Sequence, residues 1–261
     1  MNNYLALISK MDFKSAATRR QVVIDFLTQL QVPYSLHEYS TGTNLIVKLG
    51  TSEQYIAFTC HLDRVRGSGG ANDNAAAIVT CLGVIKEHID TACTQPLMVI
   101  FFDEEENGRL GSQAYIRTYG YQHLKAVVNM ELVGIGTELL IWPLDKPNHI
   151  STHLENTWHN CFPNQKAAIL YAATFPIFYS DADSFLDAGM QNVLTFTRLT
   201  TNDYQIASQY ITNELSYDAF MKEVSRCDIM RTYHQPNDLA DTIQAGAINE
   251  NVMLLLNTMM Y

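Results

Sequence analysis

The chain lacks any apolar stretch approaching the ~20 residues that a membrane helix needs, and no membrane partner is expected. It has no basic run or stripe either. Seventeen Lys and Arg stand against 27 Asp and Glu, a formal charge of -10, which argues against nucleic acid as a partner. No CxxC occurs, and the five cysteines (Cys60, Cys81, Cys93, Cys161 and Cys227) are odd in number and scattered. Free thiols in a reducing compartment are expected from such spacing. HExxH is absent too, so His149 and His153, although four apart, read as surface residues. The first ten residues have no basic lead and only a short apolar run, unlike a secretory signal. A cytoplasmic location is therefore expected. There is no internal repeat, low-complexity segment or clear linker, so residues 1–261 read as one domain.

What is present is material for a large core, since 47% of the residues are hydrophobic. Met11 to Gln31 has helical periodicity, with Val22, Val23, Phe26, Leu27 and Leu30 on one face and Pro33 beyond its end. Tyr34–Tyr39, Asn44–Leu49 and Tyr55–Cys60 read as strands, followed by an Ala-rich buried helix from Asp73 to His88. Leu97–Phe102 is a continuous apolar run of the kind buried on both faces of a sheet. A short helix over Gly111–Tyr119 and strands over Ala126–Met130 and Glu138–Trp142 come next, and Pro143 and Pro147 mark a loop. A helix over Ser151–Cys161, strands over Ala168–Tyr171 and Val193–Phe196, largely helical chain over 202–230 and a closing helix over Ile248–Met260 complete the pattern. Strands alternating with helices predict an α/β fold: a three-layer α/β/α sandwich around a mixed, mostly parallel sheet.

In such sheets ligands bind beyond the carboxyl ends of the strands. Cys60-His61, Phe102-Asp103-Glu104 and Met130-Glu131 each place polar groups just after an apolar strand. Three strands thus deliver acids or a histidine to one edge. Around them lie Asp63, Asp73 in the turn Gly70-Ala71-Asn72-Asp73-Asn74, the run Glu104-Glu105-Glu106, and Tyr233-His234. All are side chains that hold Zn²⁺ or move protons, the layout of a co-catalytic two-metal hydrolase. Asp73 can cap the helix that follows and can also bridge two ions with its two oxygens. Adjacent glutamates can divide the work, one holding metal while its neighbour takes a proton from water. Sites rich in carboxylate also suit Mn²⁺ or Co²⁺.

These residues resemble the zinc-dependent aminopeptidases of the M28 peptidase family. The likeness spans His61 to Asp238 and is most specific at Gly70-Ala71-Asn72-Asp73-Asn74-Ala75-Ala76 and at Glu105-Glu106-Asn107-Gly108-Arg109-Leu110-Gly111-Ser112. The family writes the latter as EExGLxGS. This register implies that Glu105 is the general base and Glu106 a ligand. It further implies one zinc held by His61, Asp73 and Glu131 and a second held by Asp73, Glu106 and His234. Asp63 matches the acid behind the first histidine, and Tyr233 a tyrosine able to donate to the developing oxyanion. A cis Asp73–Asn74 bond is implied as well. The implied activity is removal of N-terminal residues from a peptide or aminoacyl substrate by metal-activated water.

Three positions depart from the pattern. Arg109 replaces the Leu of EExGLxGS, and Ala182 replaces the histidine of a later SDHxxF, here Ser180-Asp181-Ala182-Asp183-Ser184-Phe185. Glu131 stands where the family often has Asp. In related two-zinc folds a Glu there accompanies carboxypeptidase or deacylase activity, so these remain alternatives. Two others are a glutaminyl-cyclase-like transferase, which works with one zinc, and a non-catalytic binding protein on the same scaffold.

Overall fold

The computed structural model describes residues 4–144, 146–171 and 179–260. Eight strands form one sheet: β1 (Tyr34–Glu38), β2 (Thr43–Leu49), β3 (Tyr55–His61), β4 (Leu97–Phe102), β5 (Leu124–Met130), β6 (Glu138–Leu144), β7 (Ala167–Tyr171) and β8 (Val193–Leu199). Their spatial order is β1-β2-β4-β3-β5-β8-β6-β7. The central run β4-β3-β5-β8 is parallel, as is β6 with β7, whereas β1/β2, β2/β4 and β6/β8 are antiparallel. Every residue of β3, β4 and β8 is buried. For β4 that is why the strand reads as an unbroken apolar run rather than an alternating one.

Nine α-helices accompany the sheet: α1 (Tyr4–Ser9), α2 (Ala16–Gln29), α3 (Ala76–Asp90), α4 (Leu110–Tyr119), α5 (His149–Cys161), α6 (Asp181–Asp187), α7 (Thr201–Ile211), α8 (Tyr217–Val224) and α9 (Ala245–Thr258), among the described residues. Alternate strand residues face opposite layers. Val47, Phe58, Val99, Val128 and Ile141 pack with α1, α2, α3, α5 and α9. On the other face Ile46, Ala57, Ile100 and Val127 meet Tyr115 of α4 and Phe185 of α6. Leu140, Trp142 and Leu199 meet Ala207 of α7 and Phe220 of α8. The layered α/β architecture is thus the expected one, with helices on both faces.

Several elements differ from expectation for identifiable reasons. The helix expected from Met11 begins at Ala16, because the Ser15 side chain accepts the Thr18 amide and caps it there. The helix expected from Asp73 begins at Ala76, since Ala71–Ala75 form a π-turn with a cis Asp73–Asn74 bond inside it. Pro143 lies within β6 rather than in a loop. It falls in the register break between Ile141 and Leu144, where a ladder donor is dispensable. Helix α6 was not expected from periodicity. A reciprocal capping box starts it, with Ser180 accepting the Ala182 amide and Asp183 accepting the Ser180 amide at 2.7 Å. Ala182, where the resemblance has histidine, packs into the core beside Phe185.

Register fixes what the strand ends present. His61 pairs with Phe102, so the turn carrying Glu104–Glu106 starts beside it. Thr59 pairs with Asn129, which sets His61 and Glu131, two residues further along each strand, at one level on one face.

Candidate metal centre

His61 ends β3. Its Nδ1 donates to the carbonyl of Asp63 at 3.2 Å and lies 3.4 Å from that residue's carboxylate, which leaves Nε2 facing the cleft. Nε2 lies 3.2 Å from Asp73 Oδ1 and 3.2 Å from Glu131 Oε2. The other oxygen of Asp73, Oδ2, lies 3.2 Å from His234 Nε2, and that nitrogen is 3.4 Å from Glu106 Oε2. One carboxylate therefore stands between two histidines, each of which has a second carboxylate beside it. Single ligand atoms from His61, Asp73 and Glu106 also fall within 4.8 Å of one another.

The carboxylate of Asp63 accepts the backbone amides of both Glu105 and Glu106 at 3.0 Å. It thereby joins the end of β3 to the acidic turn after β4. Glu105 and Glu106 line a cleft together with His61, Asp73, Glu131 and Tyr233. Glu104 is directed elsewhere, toward the Thr41 hydroxyl. The three adjacent glutamates are thus sorted by the turn, two into the cleft and one away. Arg109 caps α4 from the left-handed region and faces Asp187 at 3.4 Å.

Some residues that organise the site carry no metal-binding signal in the sequence. Asp238 accepts the amides of Asn72 at 2.8 Å and Asp73 at 3.1 Å, so the loop after His234 is laced to the loop before α3. A Cβ on Gly69 would come within 2.0 Å of the Asp238 carbonyl, and only glycine allows that approach. Asn74 donates to Glu131 Oε2 at 2.8 Å, and Asn129 donates to Glu131 Oε1 at 3.1 Å. Trp142 lines the cleft as well, whereas Trp158 is core.

The charges are crowded, and their proton affinities show it. Burial raises the carboxyl of Glu105 well above its usual range. His61 opposes that shift, while Glu131, Asp181 and Glu106 add to it. Burial likewise raises Glu131 and lifts Asp181 to about 8. Asp73 goes the other way: burial would raise it, but hydrogen bonds from His234 and His61 outweigh that. In His234, burial lowers the pKa, yet Asp73 and Glu106 together carry it up to about 9. Burial and the neighbouring carboxylates raise the phenol of Tyr233, which keeps its proton.

A divalent ion fits this donor set. Tetrahedral zinc with bonds of ~2.0–2.1 Å separates its ligand atoms by about 3.3 Å. The four spacings given above run from 3.2 to 3.4 Å. Glu106 Oε1 is buried without a hydrogen-bond partner, as an atom reserved for another species would be.

Known proteins carry the same arrangement of strands. The model of peptidase family M28 matches residues 44–259. The vacuolar membrane protease of Saccharomyces cerevisiae is 24% identical over 173 residues, which make up 63% of this chain and 18% of that protein. The chain therefore spans less than a fifth of this curated relative. BSAP, a zinc aminopeptidase from Bacillus subtilis, superposes with a TM-score of 0.62 at 19% identity, over 83% of this chain and 49% of its own. A glutaminyl cyclase from Porphyromonas gingivalis superposes with a TM-score of 0.70 at 13% identity, over 99% of this chain and 97% of its own. At these identities the superpositions bear on fold alone. The yeast relative is named for a vacuolar membrane, so the expected cytoplasmic location gains no support. No helix among the described residues is long and apolar enough to cross a membrane.

The raised acids and the raised His234 share one consequence for the metal-free protein. Asp238, Asp181 and His234 have folded values of about 6, about 8 and about 9, above their ordinary ones. Between its ordinary and its folded value, each group holds more proton in the native state, so stability falls as pH rises. In the presence of chelator the melting temperature should fall from about pH 6 to about pH 9, and added Zn²⁺ should remove most of that fall. A melting temperature that climbs with pH in chelator would contradict the electrostatic account.

Proposed function

The chain belongs to peptidase family M28, and on that premise we propose that it is a co-catalytic two-zinc metallopeptidase that removes N-terminal residues from peptides. The observation that carries this reading is the Asp73 carboxylate, which presents one oxygen to His61 and the other to His234. His61, Asp73 and Glu131 would hold one ion. Asp73, Glu106 and His234 would hold the other. Bound zinc supplies Lewis acidity and makes water acidic enough to ionise near neutral pH.

The rest is the work of side chains. Glu105 lies in the cleft with its proton affinity raised by burial, which suits it to take a proton from water and return it to the leaving amine. Tyr233 keeps its proton and lines the same cleft, so its hydroxyl can donate to a developing oxyanion. Asp63 holds the Glu105 and Glu106 amides and so fixes where base and ligand stand. No Lys or Arg lines the cleft among the described residues, and segment 172–178, outside them, contains none. A substrate α-carboxylate would find no cation there, whereas an α-amine would meet carboxylates. This favours aminopeptidase over carboxypeptidase action despite Glu131.

A second, largely apolar cavity adjoins the cleft and shares Leu132 and Trp142 with it. Leu140, Leu199, Phe220 and Met230 form much of its wall. The one carboxylate in that wall, Asp203, is satisfied by the amides of Asp228 at 2.7 Å and Ile229 at 3.0 Å. The cavity therefore suits a large apolar side chain on the substrate.

Glu105→Gln should keep zinc and substrate binding but lose roughly 10²–10⁴-fold in kcat. Turnover within a few-fold of wild type would remove Glu105 from the role of base. With a panel of aminoacyl amides, leucyl and phenylalanyl substrates with free amines should be cleaved best, and N-acetylated or acidic ones poorly. Preference for blocked amines, or cyclisation of N-terminal glutamine with no hydrolysis, would overturn the assignment.

A further inference from the structure

Arg19 lies on α2, ahead of the residues that the family model matches, and is completely buried. A buried guanidinium normally faces a carboxylate. This one faces none directly, and its hydrogen bonds all go to backbone carbonyls. Nε donates to Met11 at 3.1 Å, Nη1 to Leu62 at 3.4 Å and Asp63 at 3.2 Å, and Nη2 to Gly69 at 3.2 Å and Gly70 at 2.8 Å. Five N–H groups thus meet five carbonyls, as many as the side chain has donors.

Four of these carbonyls belong to one connection, residues 62–70, which runs from His61 to the turn that holds Asp73. Leu62 and Asp63 follow His61 directly, and Gly69 and Gly70 lead into Asp73. A Cβ on Gly70 would come within 2.1 Å of Arg19 Nη2, so the loop is cut to fit the guanidinium. Its neighbours reinforce the contact. Phe13 donates its amide to the Gly69 carbonyl at 2.9 Å, and Arg64 donates to the carbonyls of Phe13 and Lys14 at 2.6 and 3.0 Å. Burial lowers the pKa of Arg19 to about 10, and the nearby Asp73 and Asp238 oppose that shift, so it stays charged at neutral pH.

We propose that Arg19 is a positioning residue for the metal centre. Its guanidinium clamps together the two ends of the connection between His61 and Asp73, so that the segment ahead of the matched region is a working part of the site. The inference rests on the two-zinc reading only for its consequence in metal affinity. The clamp itself is a property of the metal-free chain. A lysine cannot replace it, because an ammonium has three donors and no planar fork with which to span both ends of that connection.

The test uses the full chain with Arg19→Lys, Arg19→Met and Val23→Ala, the last a buried apolar position one turn further along α2 whose side chain can donate nothing to those carbonyls. In metal-free protein, amide hydrogen exchange over residues 61–73 should be roughly tenfold or more faster in the Arg19 variants. Val23→Ala should lower the melting temperature but leave exchange over that segment near wild type. Zinc affinity, measured against a competing chelator, should fall by about tenfold or more in Arg19→Lys and hardly at all in Val23→Ala. Unchanged exchange over 61–73 in Arg19→Lys would overturn the proposal. So would a Val23→Ala protein whose exchange and zinc affinity change as much. If Arg19→Met fails to fold, Arg19→Lys decides. Wild-type protein that binds no zinc would refute the metallopeptidase reading, while the exchange measurement would still decide the role of Arg19.

Discussion

The carboxylate of Asp73 faces a different histidine with each of its oxygens, and most of the unusual features nearby serve to keep it there. It lies in a π-turn between a strand and a helix, with both flanking asparagines tied down. Asn72 accepts the Gly134 amide and Asn74 donates to Glu131. Asp238 grips the backbone amide of Asp73 from the far loop. Four acids and two histidines in a space this small repel one another or pair with one another unless something holds them apart. Here the histidines pair with Asp73, Glu131 and Glu106, and neutral donors from Asn74 and Asn129 fix Glu131 beside them.

The parallel core of the sheet makes the convergence possible. Strands β3, β4 and β5 are neighbours, run the same way and end at the same level, so their last residues meet without long loops. His234 arrives from an irregular segment far along the chain, and hydrogen bonds between the residues after it and residues 69–73 fix it there. The same segment brings Tyr233, whose ring stacks on His234 at 3.7 Å between centroids. One side of the cleft is therefore strand ends and the other is loop. Beyond the loop, α7 and α8 enclose the apolar cavity.

Much of this was legible in the sequence because the signals were of the kind that periodicity and spacing carry. The run Leu97–Phe102 predicted β4 to the residue, and the acids that follow it are where a strand end would put them. Glu104, Glu105 and Glu106 could not be told apart by composition. The glycine-bounded motif sorted them, and the turn places Glu104 apart from the other two. What escaped notice did so for physical reasons. Arg19, in a helix with polar neighbours, looks like an ordinary surface charge, since the carbonyls it satisfies come from residues 11 and 62–70. Asp238 was visible only as part of a turn, because its partners are more than 160 residues earlier. Helix α3 starts only after the turn Ala71–Ala75, which hydrophobic patterning does not distinguish from the helix that follows. Helix α6 is short and announced by its cap rather than by its period.

Diffraction from a zinc-soaked crystal, with anomalous differences collected at the zinc edge, tests the central claim most directly. Two peaks per chain are predicted, on either side of the Asp73 carboxylate and roughly 3.5 Å apart. A single peak would favour the one-zinc transferase, and no peak beside Asp73 would contradict the account.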